Sequence, residues 1–90
     1  MQRRIAVLVR ERQDEALRMS LGLILLDDAV DIYVLDQKLS RTEENALHLE
    51  TIEIMEMKMY TNCTENEGME YRSSAQIAQD LPQYDCVLPY

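Results

Sequence analysis

The sequence predicts an α/β protein: a small, open, mainly parallel sheet of four strands with helices on both faces. Three observations support this. Compact runs rich in β-branched residues, such as Ile5-Ala6-Val7-Leu8-Val9, read as strands covered on both sides. Between them lie segments whose apolar residues recur at helical spacing. The two kinds alternate along the chain as β-α-β-α-β-α-β, and parallel strands need such crossovers to return the chain to the same end of the sheet.

The elements follow in order. Ile5 to Val9 forms the first strand, and the charged stretch Arg10 to Asp14 turns the chain. A helix is predicted from Glu15 to Ala29, with Ala16, Met19, Ser20, Leu23, Ile24 and Leu26 at helical spacing. Leu21 and Leu25 widen that stripe beyond one face, as in a helix deeply buried or shared with a partner subunit. Gly22 costs about 1 kcal/mol relative to Ala inside a helix, and a close approach of another backbone would account for it. Asp27-Asp28 places negative charge near the helix C-terminus, where the dipole disfavours it.

Ile32-Tyr33-Val34-Leu35 is the second strand, and Asp36 to Arg41 is a polar connection. Ser40 and Glu43 have the spacing of a capping box. Ala46, Leu49, Ile52 and Met55, flanked by Leu47 and Ile54, give the second helix its apolar face. Lys58 to Thr61 is a weaker third strand, and Thr64 to Arg72 reads as a loop. Ser73 with Gln76 repeats the capping spacing before a short third helix through Ala75, Ile77, Ala78 and Leu81, ended by Pro82. Cys86-Val87-Leu88 closes the series. Right-handed crossovers then give a doubly wound, flavodoxin-like or Rossmann-like layer, with strand order 2-1-3-4 expected.

Ninety residues make one domain, spanning 1–90, and a chain this short has a thin stability margin. With five Tyr and no Phe or Trp, aliphatic residues and Met must supply the core. Self-association through the apolar helix around Leu21 to Leu26 would bury more, so a homo-oligomer is expected. The net charge of −8 repels a phosphate backbone, which argues against nucleic acid. Arg3, Arg4, Arg10 and Arg12 read as solvated strand ends. No apolar run reaches the ~20 residues of a membrane helix, and no secretory pattern opens the chain. Two cysteines without an export signal point to free thiols and a soluble, cytoplasmic protein.

Standard chemistries are poorly represented. The turn after the first strand has no glycine, so pyrophosphate cradles and P-loops are absent and no cofactor is expected. There is no nucleophile elbow, and His48 has no recognisable partner nearby in sequence. Two cysteines and one histidine without close spacing make a weak case for zinc, and no metal ligands are assigned. Glu65, Glu67 and Glu70 lie in a loop at the carboxyl end of the sheet, where a cation could in principle bind, although their spacing matches no calcium loop. Cys63, just after the third strand, is the candidate nucleophile, because ligands gather at that end of such sheets. Its alternative is a small apolar residue at a strand end. Glu65 and Glu67 favour that alternative by opposing a thiolate, unless the third helix's amino end or Arg72 offsets them. Cys86 is expected to be buried.

Through Arg4 to Val9, the apolar first helix to Leu26, Asp31 to Leu35, and Tyr60-Thr61-Asn62-Cys63, the chain resembles the DsrE/DsrF-like, TusD-like proteins of the sulfur-relay group. The resemblance is one of layout. It implies a small flavodoxin-like subunit that assembles into trimers or hexamers and carries sulfur as a persulfide on Cys63, received from a protein sulfur donor and passed to an acceptor thiol. Typical members run on to a fifth strand and have small residues after the cysteine, where this chain has Thr64-Glu65-Asn66-Glu67. The family also contains non-catalytic subunits. Three readings follow: a persulfide carrier acting as a sulfurtransferase, an oligomeric binding or structural subunit with no enzymatic activity, and a small-molecule or metal binder using Glu65 to Glu70.

Overall fold

A computed structural model describes residues 3–26 and 28–90. Along the chain lie β1 (Arg4–Val9), α1 (Gln13–Leu25), β2 (Ala29–Val34), α2 (Glu43–Ile54), β3 (Lys58–Thr61), β4 (Glu70–Tyr71), α3 (Ser74–Asp80), a 3₁₀ turn (Leu81–Gln83) and β5 (Cys86–Pro89). The protein is α/β with an open, all-parallel sheet in the order β4-β3-β2-β1-β5. Among the described residues the sheet has five strands rather than four, because β4 arises within the stretch expected to be a loop. With only two residues, β4 has no alternation to read.

The four expected strands stand as 3-2-1-4, correcting the order 2-1-3-4. Strand burial gives the reason. Ile5 to Val9 of β1 and most of β2 are buried, so both strands need a neighbour on each side. The expected order would have left β2 at an edge. Instead β3, with exposed Lys58 and half-buried Met59 and Tyr60, lies towards the rim. β5 comes back to cover the free side of β1, pairing Ile5 with Cys86 and Leu8 with Pro89.

Strand alternation divides the core into two. Ile5, Val7, Val9, Val30, Ile32 and Val34 face α1 and α2, where Ala16, Leu17 and Ile52 close over them. Ala6, Leu8, Tyr33 and Leu35 face the other way, towards Ile77 of α3. α1 is shorter than expected at its C-terminal end. Leu26 already leaves the helix, and Ala29 opens β2. Leu21, Leu23 and Ile24 pack against the core, whereas Met19, Leu25 and Leu26 are exposed. Among the described residues, and apart from its own helix, nothing lies within 4 Å of where a Gly22 side chain would begin, so no close approach of another backbone among them explains that glycine. Asp28 is buried against Arg3 at 3.1 Å, which compensates its charge; Asp27 lies outside the described residues.

α2 starts from Thr42, whose side chain accepts the Asn45 N–H, and not from a Ser40–Glu43 box. Its buried positions are Asn45 and Ile52. Ala46 and Met55, expected on the apolar face, are exposed, as are Leu47 and Ile54. The Ser73–Gln76 capping box at α3 is present in both directions, although Ala75 and Ala78 are exposed. Cys86 is half-buried rather than buried, and Pro89 is the last residue of β5 instead of its terminator. Among the described residues, no helix is long and apolar enough to cross a membrane.

Candidate functional site

The carboxyl edge of the sheet, where this architecture gathers ligands, is occupied largely by the chain's own polar side chains. The loop Asp36–Ser40 lies across it, and amide side chains from distant segments hold it down. Asn66 Oδ1 accepts the Leu39 N–H at 2.8 Å, while Asn66 Nδ2 donates to Gln37 O and Thr61 Oγ1. Gln13, at the start of α1, accepts the Ser40 N–H at 2.9 Å and donates to Lys38 O. Asn45 Nδ2 donates to Ser40 O at 2.9 Å. Gln13, Asn45, Thr61 and Asn66 are all buried, and these bonds satisfy most of their polar atoms, which would otherwise be costly to bury; among the described residues, Asn45 Oδ1 has no partner.

Asp36 sits at φ 69°, a left-handed conformation that Asp tolerates better than most residues. Asn62 fixes it from both sides, accepting the Asp36 N–H at 2.7 Å and donating to Asp36 Oδ1 at 3.0 Å. Arg10 Nε donates to the other carboxylate oxygen at 3.3 Å. The Asn62 bond first, and the Arg10 bond second, hold this carboxyl below its usual range.

Cys63 stands where the sequence placed it, directly beyond β3, as a free and half-buried thiol. Its backbone is tightly held. Its N–H donates to Thr61 Oγ1 at 3.0 Å, its carbonyl accepts the Asn66 N–H at 3.2 Å, and Thr61 is itself anchored on Val34 O. The groups expected to activate the thiol are engaged elsewhere. Arg72 Nε lies 2.6 Å from Asp80, and its guanidinium also approaches Glu70 at 3.7 Å. At the amino end of α3, Ser73 and Gln76 cap each other, and Ser74 Oγ accepts from Asn62.

The remaining candidates also have structural partners. His48 Nε2 lies 2.8 Å from Asp14 Oδ1, a partner from α1 that sequence proximity could not reveal. Arg3 and Arg4 lie at the amino end of β1, Arg10 and Arg12 at its carboxyl end, so the four arginines form no common patch. Arg12 and Tyr90 close the crevice between β1 and β5, with the guanidinium 5.4 Å from the ring centroid and the Arg12 N–H on Tyr90 O. Among the described residues, no three His, Cys, Asp or Glu side chains converge on a metal position.

One cluster escaped the sequence reading. On the α3 face, Tyr33 stacks on Tyr60 at 5.0 Å and meets Tyr84 edge-on at 6.0 Å. Tyr84 Oη donates to Asp31 at 2.6 Å and lies 2.9 Å from Tyr33 Oη. Burial, reinforced by the bond to Asp31, raises the Tyr84 phenol far above its ordinary value; burial also raises Tyr33 and Tyr60. These side chains, with Arg4, Lys58 and Arg72, line a polar cavity of about 210 Å³. Its groups are largely paired within the chain: Tyr84 with Asp31, Arg72 with Asp80, and Arg4 stacked over Tyr84 at 4.9 Å. The alternating positions of Asp31 and Tyr33 along β2 were the available signal.

No protein-family profile matches the chain, and neither a curated protein nor a solved structure shows significant similarity to it.

Proposed function

We propose that this chain is a non-catalytic α/β subunit that works by self-association through the outer face of α1. One observation carries the reading. Leu25 and Leu26 are 80% and 71% exposed, beside exposed Met19 and the bare backbone of Gly22. The charges on that helix are already paired locally: Arg18 lies 3.0 Å from Asp14, and Arg12, just before the helix, 3.6 Å from Glu15. A second α1 can therefore approach without a charge penalty, and Gly22 lets the two backbones come close. Burying the leucines would be favourable by roughly 25 cal/mol for each Å² removed from water.

Sedimentation equilibrium tests the reading. The wild type should be oligomeric at micromolar concentration, and Leu25→Glu with Leu26→Glu should be monomeric with an unchanged circular dichroism spectrum. Gly22→Ala should act in opposite directions, stabilising the monomer by about 0.5–1 kcal/mol while weakening association. A wild type that stays monomeric at all accessible concentrations overturns it.

The position of Cys63 favours a second reading, sulfur carriage in the manner of the DsrE/DsrF-like proteins. The Cys63 thiolate would attack the outer sulfur of a donor persulfide. A new S–S bond forms on Cys63 as the donor's S–S bond breaks, and the donor leaves as a thiolate, with no net oxidation. Intact mass after exposure to a persulfide donor should then show a gain of one sulfur that Cys63→Ser abolishes. No gain eliminates this reading and leaves the first untouched.

A further inference from the structure

A groove runs along the flank of α2 that faces away from α1. Leu49 and Ile52 of α2 form one wall, and Met57, Met59 and Met69 form the floor and opposite wall, enclosing about 330 Å³. Three of the chain's six methionines are gathered here. Methionine side chains are unbranched and polarisable, so a Met-lined site adapts to apolar groups of differing shape. Glu53 and Glu67 stand on the rim, with Arg41 the sole cation among the lining residues. From Thr42 to Met57 the chain carries five glutamates and no lysine or arginine. Among the described residues, none of those five is held in an ion pair.

We infer that this groove is a docking site for a basic segment of a partner polypeptide, which inserts one apolar side chain among Met57, Met59 and Met69 and sets its cations against Glu53, Glu67 and the outer carboxylates of α2. Charge complementarity selects that occupant. A second copy docked here through the same face would set Glu53 and Glu67 against their own counterparts, and like-charge juxtaposition across an interface is unfavourable. The volume is at the low end of the ~300–1,000 Å³ typical of small-molecule sites, which suits a single anchoring side chain. The groove and the α1 face lie on opposite sides of α2, so the inference does not depend on self-association.

The test uses a labelled lysine–alanine peptide with one central leucine, followed by fluorescence anisotropy and by amide chemical shifts of the intact protein. Binding should shift amides between Leu49 and Met69. Glu53→Lys with Glu67→Lys, both exposed positions, should weaken it by about tenfold or more. Replacing the peptide's leucine with glycine should weaken it comparably, and Met69→Ala provides a second reading on the protein side. The Leu25→Glu, Leu26→Glu variant should bind as the wild type does, which separates a failure here from a failure of self-association. Equal binding of the leucine-free peptide, shifts confined to other surfaces, or occupation of the groove by a small apolar molecule but not by the peptide would each overturn the inference.

Discussion

The two faces of the sheet are built on different principles. Beneath α1 and α2, the buried side chains of β1 and β2 are all aliphatic; the buried polar groups are Ser20, bonded to its own helix at Ala16 O, and, at the carboxyl rim, Gln13, Asn45, Thr61 and Asn66. Beneath α3, the same strands present Asp31, Tyr33 and Tyr60, which a short helix covers incompletely and Tyr84 ties together by hydrogen bonds. A face closed by two helices can be dry. A face closed by seven helical residues needs side chains with an apolar body and a polar tip. The first face therefore draws its stability from packing, the second from packing and a network sensitive to pH.

The largest expected effect breaks the dry face. Leu17→Ala removes a fully buried side chain from between α1 and the sheet and should cost about 2–5 kcal/mol in urea denaturation. Ile77→Ala on the α3 face should fall at the bottom of that range, because solvent can enter the gap beside a short helix. Equal losses at the two sites would end the distinction.

Asn66→Ala comes next. It leaves the Leu39 N–H and Gln37 O without their partner at the rim, and a loss of about 1–3 kcal/mol is expected. Faster hydrogen exchange confined to Asp36–Ser40 would accompany it.

Tyr84→Phe should cost about 1 kcal/mol near neutral pH. Its pH dependence discriminates better. A raised phenol pKa means that the folded protein keeps the proton while the unfolded chain loses it above about pH 10. Wild-type stability should decline as pH rises beyond that point, and Tyr84→Phe should decline less. Parallel alkaline profiles would remove the pH-sensitive network from the account.

The smallest effect concerns Asp36, which is well exposed. Its lowered pKa contributes stability above the ordinary carboxylate value, about 4, that is lost as pH falls through the lower folded value. Melting curves of wild type and Asp36→Asn should differ near neutrality and converge only well below pH 4.

Local pattern made much of this fold readable. The β-branched runs disclosed β1 and β2, that of Ile5 to Val9 also its burial on both faces, and the Ser73–Gln76 pair announced α3 correctly. What failed was information carried at long range. A crossover helix can set its strand down on either side, so the strand order depended on how deeply β2 needed to be buried. The face of α2 was misjudged because Asn45 is buried to hold Ser40, a purpose invisible in periodicity. The position of Cys63 was legible from the end of β3. The engagement of Arg72 by Asp80 and of His48 by Asp14 was not, since those bonds join separate elements.

The outermost strands bear on how this protein can meet another polypeptide. β4 offers only two residues of open backbone, and β5 offers four, the last a proline with no N–H to donate. Neither rim is long enough or regular enough to template the addition of a foreign strand, the route by which sheets recruit neighbours and run on into fibrils. Contacts made across these rims must therefore rely on side chains, and their specificity can be rewritten one residue at a time.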